Sequence, residues 1–401
     1  MNQDKIILRE LANLYAQYAF DDSNAEKVRL HRAVNDLRMI RPVVTIDELP
    51  WSEMNIDGEL TLRCKDPEFR DAEWFFKTSI FKCKHFRADL ALTEFFPVPK
   101  IIRSTGHGVT IEEDTLGEQV AGGVVSHAYK DQIKDWGDLE KLKEPVITYD
   151  EPETLRLYNK IGGVIGDILP VKLTGMWADY GVWDHIAMLH GVENMFIDLY
   201  DRPDFMHKTA ETLISIYEAE IRQYEELNLF EPNLTYIHCT PAAASDLTVA
   251  DYSNVKAKDT WGRASAQIFC GVSPEMHDEF ETRYAARLMK PFGLNYYGCC
   301  EPLHNKIHTV EKIPNLRKIG VSPWADKVIS AEMIGKKYVY SAKPNPAFVA
   351  LKEFCREDAE IELRAILDAC SANGCNMDIT LKDISTVSGN PINIIEWKNQ
   401  L

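Results

Sequence analysis

Two thiols, a carboxylate and an imidazole fall within one short stretch, Cys299, Cys300, Glu301 and His304 in "FGLNYYGCCEPLHNKI", directly after an apolar run that reads as a strand. Thiolate, carboxylate and imidazole bind zinc and also move protons. Strand side chains alternate between two faces, so Tyr297 and Cys299 are expected on one face and Cys300 on the other. Glu301 and His304 then stand beside Cys299 as candidate proton donors. Groups of the same kind end two other apolar runs: His238 and Cys239 in "LTYIHCT", and Asp383 after "NMDITL". If those strands share one sheet, Cys299 and His238 could face one cavity as candidate metal ligands. Cys299, His238 and Asp383 each have a plainer alternative, as a buried small thiol, a core histidine or a turn former.

Further candidates surround this set. Gln267, in "ASAQIFCGVSPEM", precedes a helix start, where its amide could orient a substrate or stabilise a turn. Lys343 ends the run "KYVYSA" before Pro344 turns the chain away, and could neutralise a developing phenolate or enolate, or simply be solvated. Trp177, Tyr180 and Trp183 follow "KLTGMW" as an aromatic substrate wall or as core.

These residues need a scaffold that brings strand ends together. From about residue 165 apolar runs alternate with helical patterns: "DILPVKLTGMW", "LTYIHCT", "GLNYYGC", "LRKIGV", "KYVYSA" and "NMDITL" as strands, with longer helical segments between. Helices are expected to open at Ser273-Pro274 and to close at Gly335 and Gly374. Strands alternating with helices imply a parallel sheet, and eight such units close into a (β/α)8 TIM barrel, whose active sites form at the C-terminal strand ends. Residues 161–401 supply the regular βα units; residues 1–160 hold a first strand, "RPVVTIDELPW", and an N-terminal elaboration. Within it, "FFPVPKIIRSTGHGVTIEED" and "VAGGVVSHAYKDQ" read as hairpins or long loops that cap one barrel mouth. One domain spanning 1–401 is expected.

Composition narrows the partners. The chain has 401 residues, of which 45% are hydrophobic, and 45 Lys plus Arg against 62 Asp plus Glu give a formal charge of -17. That charge disfavours nucleic acid and anionic membrane. No run suits a membrane span or a signal peptide, and the nine cysteines follow no disulfide pattern, so a cytoplasmic protein with reduced thiols is expected. Nucleotide loops, the Gly-x-Ser-x-Gly elbow and the His-Glu-x-x-His helix are all absent.

Five segments in order, "DILPVKLTGMWADYGVWDHIAMLHGVENMFIDLYDRPDFMHK", "VSPEMHDEF", "PFGLNYYGCCEPLHNKI", "IGKKYVYSAKPNPA" and "MDITLKDIST", resemble the uroporphyrinogen decarboxylase superfamily. The resemblance implies an α/β barrel. It covers porphyrin decarboxylases and methyltransferases that work with a corrinoid protein; the Arg-rich segment of the former is reduced here to Arg41-Pro42. The methyltransferase branch implies a zinc held by a His-x-Cys and a late Cys. On this chain those positions are Tyr297, Cys299 and Asp383, so the pattern departs at two of three. What the resemblance implies is transfer of a methyl group from a small donor, such as a methyl ether, to the cobalt of a separate corrinoid protein, an O-demethylase reaction with zinc assistance. Because this chain has no Asp-x-His-x-x-Gly cobalamin segment, the corrinoid is expected on a partner; a homodimer is compatible with the same reading. Decarboxylation of a carboxylic acid, or binding without catalysis, are the alternatives.

Overall fold

The computed structural model describes residues 3–116 and 126–400; residues 120–125 of the "VAGGVV" run lie outside them. Its centre is a seven-stranded sheet in which every ladder is parallel. In chain order the strands are β1 (Val43–Ile46), β2 (Ala178–Tyr180), β3 (Trp261–Ala264), β4 (Leu294–Tyr297), β5 (Leu316–Val321), β6 (Val339–Ala342) and β7 (Asn376–Leu381). β2 to β7 pair in succession and β1 joins β7. Helices connect them, as parallel pairing requires.

The expected eighth strand and closed ladder are not found among the described residues. "LTYIHCT" pairs only with itself, Tyr236–Ile237 antiparallel to Thr240–Pro241, because His238 and Cys239 adopt φ of 41° and 67° and reverse the chain. "DILPVKLTGMW" also divides: Val171–Thr174 ladders with Phe96–Pro99 outside the main sheet, and the run re-enters it only at Ala178. β3, by contrast, was hidden in sequence, since its four residues "WGRA" carry no apolar alternation.

Residues 236–242 lie against the inner face of the sheet. Thr45 Oγ1 donates to Cys239 O (3.4 Å), Lys318 Nζ to Pro241 O (2.6 Å) and Trp261 Nε1 to Ala242 O (2.8 Å). The outer face is apolar: Val44, Ile46, Ala264, Tyr297, Ile319, Val321, Tyr340, Ile379 and Leu381 join one large core with the covering helices. A second core unites helices Gln3–Ala19, Pro67–His85 and Glu151–Ile165 through Ile7, Leu8, Phe69, Phe76, Ile161 and Ile165. Helix ends follow the sequence signals: Ser273 Oγ accepts from Met276 N, and Gly374 takes the left-handed φ of 64° that closes helix Arg356–Asn373. The pieces of "FFPVPKIIRSTGHGVTIEED" do form short ladders, Ile102–Ser104 with Ile147–Tyr149 and Glu113–Leu116 with Ser126–Tyr129. No helix of the described residues is long and apolar enough to cross a membrane.

Candidate active site

Alternation sends the other half of each strand inward, and that half is charged. Arg263, Tyr296, Lys318, Ser341, Lys343, Asp378, Thr380 and Lys382 are all buried. Arg263 pairs in register with Tyr296, and Tyr296 with Lys318. Buried charges persist only when paired, and here Lys318 Nζ lies 2.8 Å from Asp378 Oδ2, Arg263 Nη1 2.5 Å from Asp179 Oδ1, and Ser341 Oγ donates to Asp378 Oδ1 at 2.6 Å. Lys343 Nζ donates to the Ser341 hydroxyl at 2.8 Å and stands 5.9 Å from the centre of the Tyr296 ring. Burial, opposed by Asp378 and reinforced by Lys318 and Lys382, brings its pKa down to about 8. Of these cations Arg263, Lys318 and Lys382 each have a carboxylate partner, and among the described residues Lys343 has none.

At the C-terminal strand ends the chemistry concentrates. Cys299 follows β4, Lys382 and Asp383 follow β7, Glu48 follows β1, and His238 sits on the inner hairpin. His238 Nε2 is 3.0 Å from Cys299 Sγ. Lys382 Nζ lies 3.0 Å from Asp383 Oδ2, 3.1 Å from Glu48 Oε2, 3.2 Å from His238 Nε2 and 3.8 Å from Cys299 Sγ. Cys300 Sγ reaches Cys299 Sγ at 3.4 Å and Asp383 Oδ2 at 3.5 Å, and Cys239 Sγ donates to Glu48 Oε1 at 3.1 Å. Four of these residues have left-handed backbones without being glycine: Glu48, His238, Cys239 and Asp383, at φ of 48°, 41°, 67° and 56°. Such conformations cost about 1–3 kcal/mol each and cluster at functional sites.

The charges lock one another. Burial, with the nearby cations Arg263, Lys382 and Lys343, drives the His238 pKa down to about 2, so its ring is neutral. The Cys300 hydrogen bond, aided by Lys382 and Arg263, lowers the Cys299 thiol against the effect of burial. Burial alone would lower Lys382, but Cys299, Asp383 and Glu48 outweigh it and hold the ammonium above its ordinary value. Burial raises Cys239, as do Asp47 and Glu48, keeping it a thiol.

The expected metal residues meet on a lysine and not on an empty point. Cys299, His238 and Asp383 each contact the Lys382 ammonium, but their ligating atoms do not all lie within 4.8 Å of one another. A zinc bonded to His238 and Cys299 at about 2.0–2.3 Å would lie within roughly 4 Å of that ammonium, a repulsion on the order of 10 kcal/mol at an effective dielectric of about 20. Among the described residues, Glu48, His238 and Cys239 form the trio whose ligating atoms lie within 4.8 Å of one another, and it has the same lysine beside it and a protonated thiol. With Lys382 in place, the residues do not fit a divalent metal.

The other sequence candidates scatter. Tyr297 lies on the outer face by strand alternation, in register with Ala264 and Ile319, its hydroxyl donating to Glu281 Oε1 (3.0 Å) and 3.1 Å from His277 Nε2; Gly298 at φ 105° then breaks the alternation and turns Cys299 to the inner side. Trp183 is outer core, stacked on Phe269 with Nε1 donating to Phe280 O. Trp177 packs with Trp261 at the N-terminal strand ends, away from the cluster. Buried Glu301 accepts from Cys299 N (3.0 Å) and Ala266 N (3.3 Å), so it clamps the turn that carries Cys299. Glu301→Ala would orphan both amides and is expected to lower stability by about 2–4 kcal/mol in urea unfolding. His304 is half-buried, and its Nδ1 has no hydrogen-bond partner. Gln267 is exposed just after β3, its backbone N bonded to Asp184. Lys343 does face the inner cluster.

Arg263, Lys382 and Glu48 escaped the sequence reading. The spacing Asp378, Thr380, Lys382 along one strand face was the available signal for Lys382; for Glu48 and for a strand as irregular as β3 there was none.

No family profile matches the chain, and no curated protein matches it in sequence. Among solved structures, a methyltransferase from Methanosarcina mazei is similar at a TM-score of 0.47 and 11% identity, covering 93% of this chain and 96% of that one. The chemistry of the site itself has to carry the functional reading.

Proposed function

We infer that the protein is a methyltransferase that moves a methyl group from a small donor, such as a methyl ether, to the cobalt of a separate corrinoid protein. The observation that carries this reading is the set of buried cations, Arg263, Lys343 and Lys382, beside the Cys299–His238 pair at the C-terminal strand ends. A departing alkoxide or phenolate develops negative charge, and preorganised buried cations stabilise such charge far more than water does. The corrinoid would supply the Co(I) nucleophile that takes the methyl group. In this chain Arg263 and Lys343 would hold the leaving oxygen, and Lys343, whose pKa burial brings down to about 8, would offer it a proton. Gln267 and His304, at the same end, are the remaining candidates for orienting the donor, while Glu301 acts by fixing the Cys299 turn. Zinc has no part in this sequence of events, because the residues do not fit it. An assay of methoxylated compounds against cob(I)alamin, followed by loss of the Co(I) absorbance, tests the reading; no conversion with any donor would count against it.

A corrinoid protein has to dock on the site's own end of the sheet. Trp324, in the loop after β5, is 69% exposed, and Leu351, beyond β6, is also exposed. Exposed aromatic residues are the usual anchors of interfaces. Trp324→Asp is expected to slow transfer to the protein-bound corrinoid by about tenfold or more while leaving transfer to free cob(I)alamin unchanged. Equal slowing of both would place Trp324 outside the interface.

The same cationic face favours one competing reading, decarboxylation of a small carboxylic acid, since Arg263 and Lys343 would also bind a carboxylate. Release of CO2 from such an acid without any corrinoid separates the two.

A further inference from the structure

The donor set around Lys382 has an unusual occupant. An imidazole, a thiol and two carboxylates surround one point, and zinc takes four ligands of these same kinds. That point holds a lysine nitrogen. We propose that the Lys382 ammonium is a resident cation standing in place of a divalent metal, so that Glu48, His238, Cys299 and Asp383 form a lysine cage in the native protein and become a zinc site when that lysine is removed.

Three features of the geometry support the assignment. Lys382 follows Asp378 and Thr380 on the inward face, and its side chain is 3% exposed, so the β-strand delivers the nitrogen and solvent does not replace it. The donors come from four separate parts of the chain, and three of them, Glu48, His238 and Asp383, reach the nitrogen from backbones held in the left-handed region. Finally, Lys382 is the ion-pair partner of both Glu48 and Asp383, so its loss leaves two carboxylates and a thiol facing one another without their cation. A small dication is the species that such a set would then attract. Contacts of 3.0–3.8 Å around an ammonium must shorten by about 1–1.5 Å to become zinc bonds, a movement within the reach of side chains once the lysine stem is gone.

The proposal concerns the cage and not the group transferred, so it is tested without an activity assay. Wild-type protein and Lys382→Ala are each equilibrated with excess Zn(II), desalted and analysed for metal. The wild type is expected to keep less than about 0.2 zinc per chain and the variant about one. Stoichiometric zinc in the wild type would overturn the proposal. So would a zinc-free variant that unfolds as cooperatively as the wild type. If Lys382→Ala does not fold, Lys382→Gln, neutral and of similar length, takes its place with the same expectation. A measurement on the wild type alone stands beside these: excess Zn(II) is expected to leave the modification of Cys299, Cys300 and Cys239 by a thiol reagent unchanged, and a slowing of about tenfold or more would mean that the metal enters the cage with the lysine present.

Discussion

Lys343→Met is expected to make the protein more stable and less active at once. The lysine is 5% exposed, its one hydrogen bond goes to the Ser341 hydroxyl, and Lys318 and Lys382 repel it. Its folded pKa of about 8 lies below the roughly 10.4 of an unfolded lysine. Below about pH 8 both states carry the proton and the cost of the buried charge is felt in full; between there and about pH 10 the unfolded state binds more protons, so stability rises as that cost is relieved. Replacing a poorly paired buried cation by an apolar chain of similar length should therefore gain about 1–3 kcal/mol at pH 7, with the gain shrinking by about pH 10. Urea unfolding at the two pH values measures both. Turnover should fall by about a hundredfold or more if Lys343 holds the leaving oxygen. A variant destabilised at pH 7 would show that the Ser341 contact outweighs the buried charge.

The second large effect is expected at a residue with no functional group. Gly298 has φ 105°, and a Cβ there would stand 2.8 Å from Leu303 Cδ1 and 3.4 Å from the Gly320 backbone. Gly298→Ala must either accept that strain or let the turn return to a regular strand, which would swing Cys299 away from His238. Destabilisation of about 2–4 kcal/mol is expected, together with loss of activity in whatever fraction remains folded. A variant within about 0.5 kcal/mol of the wild type and fully active would show that the Cys299 orientation does not depend on this turn.

Gly298 also explains why only part of the site was legible in sequence. β5 and β7 appear where "LRKIGV" and "NMDITL" predicted them, because strands covered by helices are written as apolar runs. The strand ends that gather Cys299, His238 and Asp383 were foreseeable on the same grounds. Alternation holds through Tyr297, which joins the outer core, and fails at the next residue, Gly298, whose positive φ turns Cys299 to the inner face. The inner hairpin failed for a related reason, since "LTYIHCT" has the composition of a strand and its reversal rests on two strained residues that are not glycine. Lys382 was hidden by convention: a lysine at a strand end is ordinarily solvated, and only the assembled sheet shows it enclosed by four partners.

The most direct test of the central claim follows the methyl group itself. Enzyme, cob(I)alamin and a donor labelled as O–CD3 are incubated together, and the cobalamin is analysed by mass spectrometry. Cobalamin carrying CD3, formed only with enzyme and accompanied by the demethylated alcohol or phenol, is the predicted result. Unlabelled cobalamin across a broad donor panel, with corrinoid-independent release of CO2 from a carboxylic acid by the same protein, would contradict it.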